Sequence, residues 1–328
     1  MRDSTWPDGE RLRSPSPVPM PRFLGRGTPE PPVRCARAGA GDRASAIALA
    51  FGGPTGSAAR LERRAAAEGV DLSRAWVAWS GERIAASAIL APHPGRTGLL
   101  MTNPPRDTAH ADVVGTLIAH AMADAESCSD IRLVQSLSSP DEPLRRQAYL
   151  AGGMRHLATL DYLELPDAAS APAVELPAGV ECRPWVRTDR AMLEALLAET
   201  YRETLDCPGL AELRTPRDIV DGHLASSGDA RHWYVAWKGG APAGAALVST
   251  ASAAGTVDVV YLGLVPSVRG SGMGRAILAH ALRAAACERR GPASLAVDAR
   301  NTPAVRLYRA LGFVSVRRRD AFVAVPAS

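Results

Sequence analysis

Leu262-Gly-Leu-Val-Pro-Ser-Val-Arg-Gly-Ser-Gly-Met-Gly-Arg-Ala-Ile-Leu278 is the stretch on which the reading of this chain turns. It closes an apolar run, Val257, Val259, Val260, Leu262, Leu264 and Val265, as dense as a strand covered on both faces. Pro266 has no N–H for a sheet ladder, so pairing is expected to stop there. Beyond it, Ile277, Leu278, Ala281, Leu282 and Ala285 recur at helical spacing along one face. Between strand and helix, Arg269 to Gly274 offer successive backbone N–H groups at a helix N-terminus, a nest suited to a diphosphate. The plainer reading is a tight turn that uses glycine for backbone freedom. A dinucleotide loop G-x-G-x-x-G fails on spacing, because no glycine stands three residues after Gly272. A P-loop needs Gly-Lys-Ser/Thr, and the one lysine of the chain is Lys238.

A second motif lies downstream: Leu295-Ala-Val-Asp-Ala-Arg-Asn-Thr-Pro-Ala-Val-Arg-Leu-Tyr-Arg-Ala-Leu-Gly-Phe313. It reads as a strand, a helix opened by Thr302-Pro303, and a stop at Leu311-Gly312-Phe313 with glycine as the terminator. Arg269-x-x-Gly272-x-Gly274 after a Val-Pro strand end, followed by this element in this order, resembles the GNAT (GCN5-related N-acetyltransferase) superfamily over about residues 177–325.

The resemblance implies an N-acetyltransferase that uses acetyl-CoA as cosubstrate and no metal. It implies that the backbone of Leu264 and Val265 pairs with the pantetheine arm and that one of their N–H groups polarises the thioester carbonyl. The N–H groups of Gly270, Ser271, Gly272, Met273 and Gly274 would take the pyrophosphate, with Arg269 and Arg275 adding charge. Asn301 would hold the cofactor from the other side. Tyr308 follows Asn301 by seven residues, about two helical turns, so both can face one cleft. In the family a tyrosine here is the general acid; a phenol of pKa ~10 can protonate a departing thiolate. The alternative for Tyr308 is an aromatic ring packed beside Ala304 and Leu311. For the base, Asp258 stands in an otherwise apolar strand, where an unpaired carboxylate is costly. It can equally lie at the exposed start of that strand; Tyr261, Glu199 and Glu203 are the other candidates. The acceptor is a small-molecule or peptide amine, and a non-catalytic acyl-CoA-binding or scaffold protein is the reading from another class.

Upstream, the order of elements repeats. Trp76-Val-Ala-Trp79 before Ser80-Gly81 answers Tyr234-Val-Ala-Trp237 before Lys238-Gly239, and Gly153-Met154 answers Gly312-Phe313. This predicts an α/β (α+β) chain of two tandem GNAT-fold domains, each a mixed, mostly antiparallel central sheet flanked by helices. The expected divisions are a disordered Pro/Arg-rich leader over 1–40, a degenerate domain over 41–166, a linker over 167–177 and a catalytic domain over 178–328. Nothing between Thr102 and Gly115 supplies a phosphate loop, which resembles the degenerate half of tandem proteins of the mycothiol synthase type. Two separate strands are expected at the end, over 313–318 and 320–325, and Met20 is a second candidate start.

The composition of the 328 residues, 46% hydrophobic and 22% charged, is that of an ordinary globular chain. The net charge of +4 is scattered arginine, not a nucleic-acid footprint. Five dispersed cysteines without a C-x-x-C pair fit a reducing cytoplasm, and no apolar run reaches the ~18–20 residues of a membrane span. A monomer or homodimer without membrane or nucleic-acid partners is the expectation.

Overall fold

The computed structural model describes residues 33–326 except 68 and 252–254. The chain runs β1 (Arg34–Arg37), α1 (Ala40–Ala50), α2 (Ala58–Ala67), β2 (Ala75–Ser80), β3 (Arg83–His93), β4 (Thr97–Thr102), α3 (Thr108–Glu126), β5 (Leu133–Ser138), α4 (Pro143–Ala151) and β6 (Arg155–Leu165). It continues with β7 (Val180–Pro184), α5 (Arg190–Tyr201), α6 (Pro216–Ser227), β8 (His232–Lys238), β9 (Ala241–Ser249), β10 (Val257–Leu264), α7 (Met273–Glu288), β11 (Ala293–Asp298), α8 (Thr302–Ala310) and β12 (Val314–Ala324). The second list repeats the first element for element. Even the hairpin irregularities match: β2–β3 bulges between Ala78 and Trp79, and β8–β9 between Ala236 and Trp237. Gly153 and Gly312 both take positive φ, 86° and 94°, after equivalent helices.

The strands form one twelve-stranded sheet in the order β1-β2-β3-β4-β5-β12-β6-β11-β10-β9-β8-β7. The two halves have exchanged their last strands. β12 lies between β5 and β6 of the first half, and β6 lies between β12 and β11 of the second. A pseudo-twofold axis passes where Arg319 faces Leu160. Asp320 opposite Thr159 answers Arg318 opposite Asp161, and the bulge at Val316 answers the one at Leu157.

The cores are exchanged with the strands. Phe322 and Ala324 of β12 are buried with Trp76, Leu117 and Tyr149 of the first half. Leu163 and Leu165 of β6 are buried with Ile277, Leu282 and Phe313 of the second. Helices cover both faces of each half: α3 and α4 oppose α1 and α2 in the first, α7 opposes α5 and α6 in the second. Arg96, beside the β3–β4 turn, adds a bidentate bond at 2.8 and 2.9 Å to Asp218 at the start of α6.

Three expectations change. Val314–Ala324 is one strand, because β6 supplies partners straight through the Arg317-Arg-Arg-Asp320 run that read as a break. Pairing also crosses the expected boundary at 167–177, so that boundary follows chain order and not the sheet. The expected disordered leader lies outside the described residues up to position 32, but Arg34–Arg37 within it is a strand on β2. Arg34 and Arg37 there cover the rings of Trp79 and Trp76 at 4.4 and 5.9 Å, which gives a short basic segment apolar surface to rest on. Among the described residues no helix is long and apolar enough to cross a membrane.

Phe322 is fully buried with its ring 5.1 Å from that of Tyr149. Phe322→Ala is expected to cost about 3–5 kcal/mol in urea unfolding. Hydrogen exchange is expected to accelerate in β5 and α4 of the first half, although the substitution lies near the end of the chain.

Candidate active site

β10 carries the apolar run of the opening stretch, and a bulge at Val260 sets its phase. Val259 pairs with Val248 and Tyr261 with Leu247, leaving Val260 unpaired. Val257, Val259, Leu262 and Leu264 therefore face the α7 side, while Val260 and Tyr261 face α5 and α6. On its other edge β10 pairs with β11 only at Val257–Ala293 and Asp258–Ser294. Past Asp258 the two parallel strands diverge, and a cavity of about 800 Å³ opens between them. Its walls are the 259–264 edge of β10, Leu295 to Val297 of β11, the glycine loop, α8 from Asn301, and the segment 200–206.

The glycine loop is built as its residues suggest. Gly270 (φ 75°) and Gly272 (φ 82°) take left-handed backbone, and no atom lies within 4 Å of where a side chain would begin at either. Gly272 is the N-cap of α7, so the first N–H groups of that helix open on the cavity. A side chain at Gly274 would begin 3.1 Å from Leu307 of α8, so glycine lets the two helices close on the cavity wall.

The predicted site residues divide. Leu264, Arg269, Gly270, Gly272, Gly274, Arg275, Asn301 and Tyr308 line the cavity. Ser271 and Met273 do not: the Ser271 hydroxyl donates to Val268 O at 2.7 Å, and Met273 is fully buried. Val265 donates its N–H to Ala243 O at 3.0 Å, so that group is taken by β9. Alternation along an antiparallel pair then turns Leu264 and Leu262 towards the cleft, and Leu262 replaces Val265 on the free edge.

Arg269 has a different task from the one expected. Its Nε donates to Leu264 O at 3.2 Å, and its terminal nitrogens donate to Thr200 O, Arg202 O and Glu203 O at 3.0, 2.6 and 3.0 Å. The guanidinium thus satisfies the open carbonyls at the C-terminus of α5, where a cation is favoured. Arg275 is the loop cation left facing the cavity.

Asp258 is outside the cavity. Its Oδ1 accepts from the Thr256 hydroxyl at 2.8 Å and the Ser294 hydroxyl at 2.6 Å, at the closed end of the β10–β11 pair. That satisfies a carboxylate which looked anomalous in an apolar strand. Glu199 also lies off the cavity, bonded to Arg202 at 2.8 Å, while Glu203 and Tyr261 line it.

The segment 202–207 bridges the gap between the splayed strands. Glu203 (φ 52°) and Cys207 (φ 46°) hold left-handed backbone without being glycine, a strained arrangement that its ties maintain. At one end it is tied by Arg269. At the other, Asp206 Oδ1 accepts from the Asp298 N–H at 2.8 Å and the Asp206 carboxylate also meets the Asn301 side chain, whose carbonyl caps α8 at Ala304 N. Asp298 is fully buried and held by Arg300 at 2.8 Å. Burial and the neighbouring Asp298 charge raise the Asp206 carboxyl above its ordinary value, while the Asp298 N–H and Asn301 pull the other way. Burial, with Asp206 second, drives the Tyr308 phenol well above 10; burial likewise lifts Tyr261 and takes Tyr201 to about 12. Asp206, missed in the sequence, is the charged group that these phenols share. The only trace of it was its place in a loop between two helices.

Behind Tyr261 the wall continues into α6. His223 stacks on Tyr261 with ring centroids 5.3 Å apart, and the Tyr261 hydroxyl meets the Thr200 hydroxyl at 2.7 Å. His223 Nε2 is sealed without a partner. Burial, aided by the Arg214 charge, lowers its pKa to about 3. Among the described residues no cluster of His, Cys, Asp and Glu could hold a metal ion.

Residues 192–313 match the model of the acetyltransferase (GNAT) family. The chain is 28% identical over 276 residues to a mycothiol acetyltransferase of Thermobispora bispora, covering 81% of this chain and 83% of that one. A GCN5-related N-acetyltransferase structure from Sphaerobacter thermophilus superimposes with a TM-score of 0.60 at 19% identity, over 90% of this chain and 96% of that one. A tandem GNAT protein from the clavulanic acid biosynthesis pathway gives 0.52 at 18% identity, over 90% and 99%. At those identities the two structures share the fold.

His223 makes the wall of this cavity sensitive to acid. The unfolded chain protonates it near 6.5 and the folded chain only near 3, so between those values the unfolded state holds the extra proton. Stability is therefore expected to fall as pH drops below about 6.5, by up to about 1.4 kcal/mol per pH unit. Urea unfolding at a series of pH values checks this, with His223→Gln removing that part of the slope.

Proposed function

We propose, from the premise that this chain is a tandem-domain member of the GNAT superfamily and an acyltransferase, that its second half transfers an acetyl group from acetyl-CoA to a primary amine by direct attack. One observation carries the reading: a free strand edge, an open glycine loop at a helix N-terminus and a buried tyrosine all face one cavity.

The residues present suit the cosubstrate, which supplies the activated acetyl thioester. The open loop at Gly270 and Gly272 and the start of α7 suit its diphosphate, with Arg275 adding charge. The edge at Leu262 and Leu264 that β11 leaves unpaired, apart from the Leu264 carbonyl held by Arg269, suits the pantetheine arm, and an N–H there can polarise the thioester carbonyl. Tyr308 enters the reaction protonated, since its phenol is held above its ordinary value, and it donates to sulfur as the C–S bond breaks. The dry surroundings that strengthen its hold on the proton act equally on a thiolate. They push the nearby Cys207 thiol to about 12, so donor and leaving group stay matched.

The first half offers no equivalent anion site. Before α3, Pro104 and Pro105 have no N–H to give, and the Asp107 carboxylate already accepts from His110 N at the helix start. Tyr149 takes the place of Tyr308, but it is fully buried and its hydroxyl accepts from Ser136 Oγ at 2.8 Å. These differences support placing the chemistry in the second half.

The test is CoA release from acetyl-CoA over a panel of amines that includes the mycothiol skeleton. Tyr308→Phe is expected to lower kcat about 10²-fold or more with CoA affinity unchanged in calorimetry. Gly272→Glu, which puts a carboxylate and a strained φ into the loop, is expected to abolish CoA binding; unchanged affinity sinks the loop assignment. Arg269→Ala is expected to raise the acceptor KM more than the CoA Kd, because its donors hold the 200–203 turn and not the diphosphate.

A further inference from the structure

The cavity has an acid in Tyr308 but no base among the groups the sequence put first, since Asp258 is sealed by Thr256 and Ser294 outside it. Three carboxylates remain near the opening. Glu199 lies off the cavity in a bond to Arg202. Glu203 lines it from the exposed, Arg269-held end of the bridging segment. Asp206 lines it from the other end, beside Asn301 and Tyr308, where β11 turns into α8.

We propose that Asp206 is the proton acceptor for the incoming amine. The inference rests on the acetyl-transfer reading above and assigns it a further catalytic residue. The geometry supports the role in three ways. The Asp298 N–H holds Oδ1 at 2.8 Å and Asn301 holds the same carboxylate, so the side chain is fixed in the wall. No arginine neutralises it, because Arg300 is spent on Asp298 and Arg269 on backbone carbonyls. The Cys207 N–H donates to the Asp298 carboxylate while the Asp298 N–H donates to Asp206, so the strained segment is tied to the end of β11 and Asp206 is kept in the cavity wall.

The groups that face it are known from every packed element. They are Tyr201 on α5, Tyr261 on β10, Asp298 and Arg300 at the end of β11, Asn301 and Tyr308 on α8, and the Cys207 thiol beside it. The phenols are held protonated, and Arg300 is paired with Asp298 and not with Asp206. Burial and the neighbouring Asp298 charge raise the Asp206 carboxyl above its ordinary value, which strengthens it as a base.

The protons balance as follows. The ammonium of the acceptor gives one proton to Asp206, and the freed lone pair forms the C–N bond at the thioester carbonyl carbon. The C–S bond breaks, sulfur takes the proton of Tyr308, and the phenolate recovers the second proton from the new amide nitrogen. Asp206 then releases its proton to water.

Asp206→Asn keeps an oxygen for the Asp298 N–H but cannot take a proton, so it separates catalysis from the structural tie. With an amine found in the panel, kcat/KM is expected to fall about 10²–10⁴-fold. The acidic limb of the wild-type pH profile is expected to vanish and CoA affinity to stay within threefold. Retained activity, a retained acidic limb, or the same loss in Asp258→Asn with activity kept in Asp206→Asn overturns the assignment of Asp206 and leaves acetyl transfer standing. No CoA release from the wild type with any amine overturns both readings.

Discussion

The exchange of β6 and β12 is the constraint from which the rest follows. Along one edge β11 pairs with β6 through six residues, Ala293 opposite Leu165 to Asp298 opposite Leu160. A strand anchored that fully on one side does not need its other neighbour. β10, in turn, is held by β9 from Asp258 to Leu264. The two can therefore part after Asp258 without leaving either unsupported, and the parting is the cavity. The strand that allows it belongs to the first half. That half acts on the site as its scaffold.

A cleft opened by diverging strands exposes backbone groups, and the chain disposes of them in two ways. The edge of β10 at Leu262 and Leu264 is left unpaired by β11, with only the Leu264 carbonyl taken up by Arg269. The gap at the outer end is instead spanned by 202–207, tied to β10 through Arg269 and to β11 through Asp206. Both ties use charged groups against backbone, the stronger kind of hydrogen bond. Both also spend groups that by residue type alone would be assigned to a ligand. Arg269 stands in a phosphate-loop motif and caps a helix; Asn301 stands in a cofactor motif and holds a carboxylate.

This explains which parts of the site could be read from the sequence. The strand–loop–helix at Val257–Glu288 was legible because local rules determine it: Pro266 ends pairing, and Gly272 starts the helix at a φ that other residues resist. Tyr308 and Asn301 share a face because helical periodicity puts them there. The strand exchange was not legible, since the alternation of β6 over Arg155–Leu165 is the same whichever strands flank it. The surroundings of Asp258 were not legible for the same reason. A carboxylate in an apolar strand looks catalytic until a serine from another strand, Ser294, is found to satisfy it. A carboxylate in a loop looks ordinary until the fold sets it in the cavity wall beside Tyr201, Tyr261 and Tyr308.

The same logic separates the halves. Their backbones are related by an axis through Leu160 and Arg319 accurately enough to repeat the bulges at Leu157 and Val316. A symmetric backbone offers two clefts, yet each side decides by side chains whether its own stays open. In the first half Asp107 supplies the negative charge at the start of α3, and Ser136 takes up the hydroxyl of Tyr149. In the second, glycine stands at the start of α7 and Tyr308 lines the cavity. Whatever the other side chains of the first half do, β6 with Leu163 completes the core of the second. Losing the strand would cost both. The first half is therefore bound to the second by topology, since β6 holds β11 from behind the cavity.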